Sequence, residues 1–281
     1  MTEPPSSRSD NGGDPFAIDP FVAHPAGVQN ALAGGKDNFT PDRDLIDRMG
    51  EVLPGGVDTA RASVHSLRAF TVRCVRYLAA EAGVRQFLSL GVTVPSARNE
   101  HEVAQDAASD ARFVYVGTDA LVLAHAHSFG KRSAEGATAY VHGSLSDPKP
   151  ILLQAQATLD FDLPVAILML ITLNLFPDEE NPGENLATFL KAVPSGSYLV
   201  LAHSSDDFEA KGMAEASAQL KEAFSGHWVL RGRAEIAEFF DGLDMVSPGL
   251  VQIDTWRPPD GHEPAAADRP PPIYVGVARK P

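Results

Sequence analysis

The sequence predicts an α/β protein built on an open, mostly parallel sheet whose last strand runs antiparallel, with a helical cap ahead of the first strand. Three observations carry that prediction. From Arg85 onward, short apolar runs alternate with helix-compatible segments. The run Val165-Ala-Ile-Leu-Met-Leu-Ile is apolar throughout, as a central strand covered on both faces must be. Gln86-Phe-Leu-Ser-Leu stops on Gly91, passes Pro95 and enters a charged stretch, which reads as a strand, a tight turn and a helix start. In such a unit the ligand lies beyond the carboxyl end of the strand, where glycine lets the backbone approach it and the next helix offers unpaired N–H groups. Gly91 is the only glycine in this turn, so the fold signal exceeds the cofactor signal.

The bulk properties exclude several classes. With 281 residues, 44% hydrophobic and 21% charged, the chain can bury a full core and fits one large domain or one with a smaller cap. Its 23 basic against 37 acidic residues give a net charge of −14, which argues against a nucleic-acid surface and for a small-molecule partner. The single cysteine, Cys74, rules out an intramolecular disulfide and suits a reducing cytoplasm; between Val72 and Val75 in a helical pattern it reads as a small buried thiol. No apolar run reaches the roughly 18 residues of a membrane span, and the polar start at Met1–Asp14 carries no signal-peptide pattern.

Taken in order, residues 1–25 are rich in Pro, Ser, Asp and Gly and read as a loosely ordered arm. Residues 26–83 form the helical cap. Gly34 and Gly35 break a short first helix, and Thr40-Pro41 offers an N-cap and a first-turn proline for the next. Leu53-Pro54-Gly55-Gly56 separates that helix from a third, whose apolar face carries Val64, Leu67, Phe70, Cys74, Val75 and Leu78 and which Gly83 ends. Residues 84–281 form the sheet domain. Strands are expected near Gln86–Leu90, Arg112–Val116, Thr138–Val141, Val165–Ile171 and Tyr198–His203. Helices are expected near Asn99–Ala107, Leu121–Phe129, Pro148–Ala157 and Gly183–Ala192. Five such strands imply right-handed crossovers and a parallel sheet. Helical segments at Phe208–Phe224 and Glu235–Phe240 then lead to strands at Leu250–Trp256 and Ile273–Ala278, joined by a Pro-rich loop; this closing hairpin makes seven strands.

Several runs along this chain resemble the Rossmann-like S-adenosylmethionine-dependent methyltransferases. They are similar in particular to a bacterial branch formerly filed as a domain of unknown function. The likeness extends from Gly34-Gly-Lys-Asp-Asn-Phe39 through Val75-Arg-Tyr-Leu-Ala79, Asn99-Glu-His-Glu-Val-Ala104 and Tyr115-Val116 to Pro194-Ser-Gly-Ser-Tyr-Leu-Val200. It implies a seven-stranded methyltransferase sheet, S-adenosylmethionine as cofactor and a small-molecule acceptor.

The resemblance also places the site, with departures. Where the family's first turn looks like Asp-Ile-Gly-Thr-Gly-Leu-Pro-Thr, this chain has Ser89-Leu-Gly91-Val-Thr93-Val-Pro-Ser96, so the acid is a Ser and the second glycine a Thr. A branched side chain there occupies space at a cofactor edge and resists positive φ. The family's ribose-binding acid aligns with Gly117, and Asp119 stands two residues on. A lost charged acceptor costs about 1.5–3 kcal/mol, roughly ten- to a hundredfold in affinity, unless Asp119 or water replaces it. The adenine acid appears as Ser144, and a His after the fourth strand as Asn174.

Two functions stay open. In one, the protein methylates a small metabolite, with Asp119 serving the ribose, Ser144 the adenine, and N–H groups at Gly91 and Ser96 the methionine part. Positioning does much of the work in such a displacement. His101 and Glu102, at the start of the first Rossmann helix, are the candidates for a base; a core or capping histidine and a first-turn dipole partner are the alternatives. Gly35, Lys36, Asp37, Asn38 and Phe39 read either as a lid over the pocket or as a turn between helices. In the other function, the fold has lost methyl transfer and binds another ligand, catalyses another reaction or serves as a partner subunit. The set Ser89, Thr93, Gly117 and Ser144 favours that reading. A metal is not expected: His24, His65 and His203 lack ligand spacing, and His125 and His127 point to different helix faces. Ser204-Ser205-Asp206-Asp207 touches substrate or, on the commoner pattern, caps a helix.

Overall fold

The computed structural model describes residues 18–91, 99–118, 122, 136–208, 210–259 and 270–281. Three helices come first: α1 (Pro25–Leu32), α2 (Thr40–Val52) and α3 (Val57–Arg76), the last running on through a π turn at Tyr77–Glu81. Asp42, fully buried, accepts the backbone N–H groups of His24 and Phe39, each at 2.7 Å, and so serves the starts of both α1 and α2. Gly27 has no room for a Cβ, because that atom would fall on the Asp42 carboxylate.

The sheet follows as β1 (Gln86–Leu90), β2 (Arg112–Gly117), β3 (Ala137–His142), β4 (Ala166–Leu170) and β5 (Tyr198–Ser204), then β6 (Asp244–Met245), β7 (Val251–Gln252) and β8 (Ile273–Arg279). Its order is β3-β2-β1-β4-β5-β8-β6, with β7 also on β8. The first five strands are mutually parallel, and β8 runs antiparallel to β5. The helices between them are α4 (Glu100–Ala107), α5 (Pro148–Ala155), α6 (Pro182–Ala192), α7 (Ala210–Ala223) and α8 (Arg233–Glu238).

The expected fold class holds, with one refinement at the edge. The strand expected at Leu250–Trp256 is two residues long and turns into a 3-10 segment at Ile253–Thr255, and an unforeseen pair at Asp244–Met245 extends the same edge of β8. Pro248 and Gly249 fall between the pieces, and proline has no N–H to give a ladder. Among the described residues the sheet therefore counts eight strands. The helix expected at Leu121–Phe129 lies outside the described residues except for Val122.

Both faces of the sheet are covered, which explains the unbroken apolar strands. Phe87, Phe113, Leu168 and Val200 pack toward α3 and α4. Leu88, Val114, Ile167 and Leu199 pack toward α5, α6 and α8. A third cluster joins α1, α2 and α7 through Val28, Leu45, Met49, Met213 and Leu220. No helix among the described residues is long and apolar enough to cross a membrane.

Candidate functional site

Beyond the carboxyl ends of β1 to β4 lies a cleft of about 720 Å³. The strands end there on small residues: Gly91 follows β1, Gly117 closes β2, and Gly143 and Ser144 follow β3. Their turns are laced together, with Gly91 N–H donating to the Val116 carbonyl at 2.9 Å and Gly143 N–H to the Gly117 carbonyl at 3.1 Å. Val22 to Ala26, entering α1, and Ala223 to Ser225, leaving α7, form the opposite wall.

Gly91 is fixed by more than ligand access. It sits at φ +98°, and a Cβ there would fall on the Thr172 hydroxyl, which donates to the Leu90 carbonyl at 2.6 Å. Thr172 lines the cleft just past β4. Before it, Ile171 holds φ +62°, a left-handed conformation that a β-branched residue adopts only when its surroundings impose it, at about 1–3 kcal/mol.

At β4 and β5 the same edge is closed by a buried polar network. Asn174 accepts Ser204 N–H at 3.0 Å and donates to the carbonyls of Val229 at 2.7 Å and Ser204 at 3.3 Å. His203 Nδ1–H donates to the Ser204 carbonyl at 2.7 Å, which leaves Nε2 to accept from the Arg231 guanidinium at 3.0 Å. Burial, with Arg231 beside it, pushes the imidazole down to about 3 and keeps it neutral. Arg231 also donates to the carbonyls of Leu173 and Phe176, each at 2.9 Å, and to Asp178 at 2.6 Å.

The remaining expected residues separate. Ser89 is buried on β1, between Tyr115 and Leu168 on the neighbouring strands. Gly91, Gly117 and Ser144 come together on the cleft wall. Thr93, Ser96 and Asp119 lie outside the described residues. Asn174 belongs to the closed network and its amide is taken up by protein partners. His101 is buried against Phe113 and Tyr115, with its backbone N–H 3.1 Å and its Nδ1 3.0 Å from the Tyr115 hydroxyl. That hydroxyl gives its own proton to Glu100 at 3.0 Å, so His101 Nδ1 is the donor to Tyr115. Burial beside Glu100 raises the Tyr115 phenol well above its usual range. Glu102 accepts the Asn99 N–H at 2.8 Å, a helix-capping bond.

The Gly34–Phe39 run connects α1 to α2, with Gly34 at φ +78°. Gly35, Lys36 and Asp37 are exposed; Asn38 bonds Asn30 and Gly35 at 3.0 Å, and Phe39 packs with Ile18, Ala26 and Tyr140. None of these five lines the cleft among the described residues.

Two cleft residues escaped the sequence reading. His227 Nε2 meets Glu180 Oε1 at 3.0 Å, and Ser146 donates to Glu180 Oε2 at 3.0 Å, so the pair bridges one side of the mouth. They stand on separate loops with no spacing that could have paired them. Glu180 is the one acid lining the cleft among the described residues.

The family model described as S-adenosyl methyltransferase matches residues 12–281. A DUF574 family protein of Streptomyces avermitilis MA-4680 is 34% identical, with 92% of this chain and 98% of that one covered at a TM-score of 0.84. A Thermobifida fusca YX protein described as a "putative methyltransferase" is 32% identical, with 92% and 95% covered at a TM-score of 0.83. An O-methyltransferase family protein of Burkholderia thailandensis, 14% identical over 80% and 58% at a TM-score of 0.50, shares the fold alone. A search of curated proteins finds no match. The chain belongs to the S-adenosyl methyltransferase family.

Proposed function

We propose that the cleft binds S-adenosylmethionine and that the protein methylates a small molecule. The observation that carries this reading is the meeting of Gly91, Gly117 and Ser144 on one wall, at the strand ends where such folds receive a nucleotide. A volume of about 720 Å³ accommodates the cofactor, and glycines at three successive strand ends allow the backbone to approach it. Ser144 would face the adenine, Gly117 with Asp119 the ribose, and N–H groups at Gly91 and Ser96 the methionine part, with Ser89 and Thr93 beside them. When bound, the cofactor supplies an electrophilic methyl group. The chain's own contribution is to orient the acceptor and exclude water.

For proton handling the geometry favours Glu180 and His227 over His101 and Glu102. The former pair faces the cleft, whereas the latter pair is engaged in holding the start of α4. The run Gly35, Lys36, Asp37, Asn38 and Phe39 would act at one remove, by setting how α1 approaches the mouth. The lone buried thiol, Cys74, supports a reducing, cytoplasmic setting. No metal is required.

A second reading, a fold that has given up methyl transfer for another ligand or reaction, draws support from the scarcity of acids among the described residues of the cleft wall. Calorimetric titration with S-adenosylhomocysteine separates the two. Binding should be measurable, and Gly117→Asp, which restores a ribose acceptor, should tighten it about tenfold or more. Absence of binding in both proteins would favour the second reading.

A further inference from the structure

Beside the cleft, between α1, α2, α3, α7 and the ends of β4 and β5, lies a second space of about 140 Å³. We propose that this chamber receives the acceptor, and that the acceptor is an uncharged molecule presenting a single apolar ring. The inference rests on the cleft being the cofactor site and names the substrate class that site serves.

The walls argue for the class. Met49, Leu53, Leu67, Met213, Leu220 and Trp228 give them an apolar surface, and no charged side chain lines the chamber among the described residues. Two of its hydroxyls are committed to the backbone: Thr59 donates to the Pro54 carbonyl at 2.6 Å and Ser63 to the Thr59 carbonyl at 2.9 Å. They keep only lone pairs and give an anion no donor, and with no charged side chain on the described walls a charged group would enter without a counter-ion. An apolar cavity of about 150 Å³ stays dry and takes one benzene ring. The two methionines on the walls can adjust to a ring edge as rigid branched residues cannot.

Position argues for the role. Chamber and cleft share Pro25, Thr172, Leu175 and Phe224. Ile171, strained at φ +62°, lies on the chamber wall directly before Thr172, and strain of that kind persists where the surroundings over-determine the backbone. A ring seated among the methionines would turn its polar acceptor atom toward Thr172, where the two spaces meet.

The probe is p-cresol, with myo-inositol as a polar six-membered ring. Thermal melts of the full chain should show a saturable rise of several degrees with p-cresol and none with inositol. Ala216→Leu, which fills the chamber from α7, should weaken p-cresol binding at least tenfold while calorimetric S-adenosylhomocysteine affinity stays within twofold. Should that variant lose its native circular dichroism, Ala60→Leu fills the chamber from α3 instead. No p-cresol shift in the wild type, an equal shift with inositol, or a p-cresol affinity unchanged in the folded filling variant would overturn the assignment. Binding of p-cresol without S-adenosylhomocysteine binding would support the chamber and sink the cofactor reading; the converse pair of results would sink the chamber alone.

Discussion

At β1, β2 and β3 the parallel strands end on Gly91, Gly117, Gly143 and Ser144 around an open cleft, whereas behind Thr172 the segment after β4 and the last turn of β5 carry a closed network of Asn174 and His203, held by Arg231. The two halves face the same direction and are built from strands of similar length. The open half presents backbone and a hydroxyl to whatever enters. In the closed half each polar group has a protein partner, which is the condition for burying it at little cost. A polar residue at a strand end is thus a binding residue only where the protein leaves it bonding capacity, as Ser144 keeps its O–H while accepting the Ser146 N–H at 3.3 Å.

The largest effect that sharpens this contrast is expected in the closed half. Arg231→Met removes a guanidinium that serves the carbonyls of Leu173 and Phe176 and His203 Nε2. It leaves those buried acceptors without a donor, at about 1–3 kcal/mol each, and should cost several kcal/mol in total in urea unfolding. Asp178→Asn should cost less than about 1 kcal/mol, since the Asp178 side chain is 77% exposed and water screens that ion pair.

Next in size is Gly91→Ala, at the junction of the halves. A methyl group at φ +98° that also displaces the Thr172 hydroxyl from the Leu90 carbonyl should cost roughly 2–4 kcal/mol. A smaller loss than Gly117→Ala shows would contradict the assignment of Gly91 to packing.

The third effect is a pH dependence. His203 titrates near 6.5 when unfolded and is pushed down to about 3 in the fold. As pH falls below 6.5 the unfolded chain takes up the proton first, so this group's contribution is whole above 6.5 and is lost progressively toward pH 3. Its slope there should approach 1.4 kcal/mol per pH unit. The difference between wild type and His203→Gln, followed by urea unfolding from pH 7 to 4, should show that slope; a flat difference would mean that His203 is not held neutral.

The smallest effect belongs to the open half. Ser144→Ala should leave stability within about 0.5 kcal/mol and weaken S-adenosylhomocysteine binding by roughly 0.5–1.5 kcal/mol, read by calorimetry.

How much of this was legible in the sequence follows the same division. The central strands were readable because burial on both faces leaves a continuous apolar run, as in Val165–Ile171. The start of α4 was readable because the strand stops on Gly91 and Pro95 leads into a charged, helix-compatible stretch. Gly117 and Ser144 were placed by resemblance, and the structure brings them to one wall. Asn174 looked the same in the sequence, yet its partner Val229, and the Arg231 that holds the neighbouring His203, arrive from a distant segment that no local pattern connects to it. The Glu180–His227 pair is hidden for the same reason. The apolar face of α3 could be read from periodicity, but the gap it leaves with α1, α2 and α7 depends on helix packing, which no spacing encodes.

A crystal structure with S-adenosylhomocysteine would test the central claim most directly. The adenosyl group is expected in the open half, between Gly117 and Ser144, with Asn174, His203 and Arg231 keeping their present bonds. An adenosyl group held by Asn174 or His203, or seated away from the β1 to β3 turns, would contradict it.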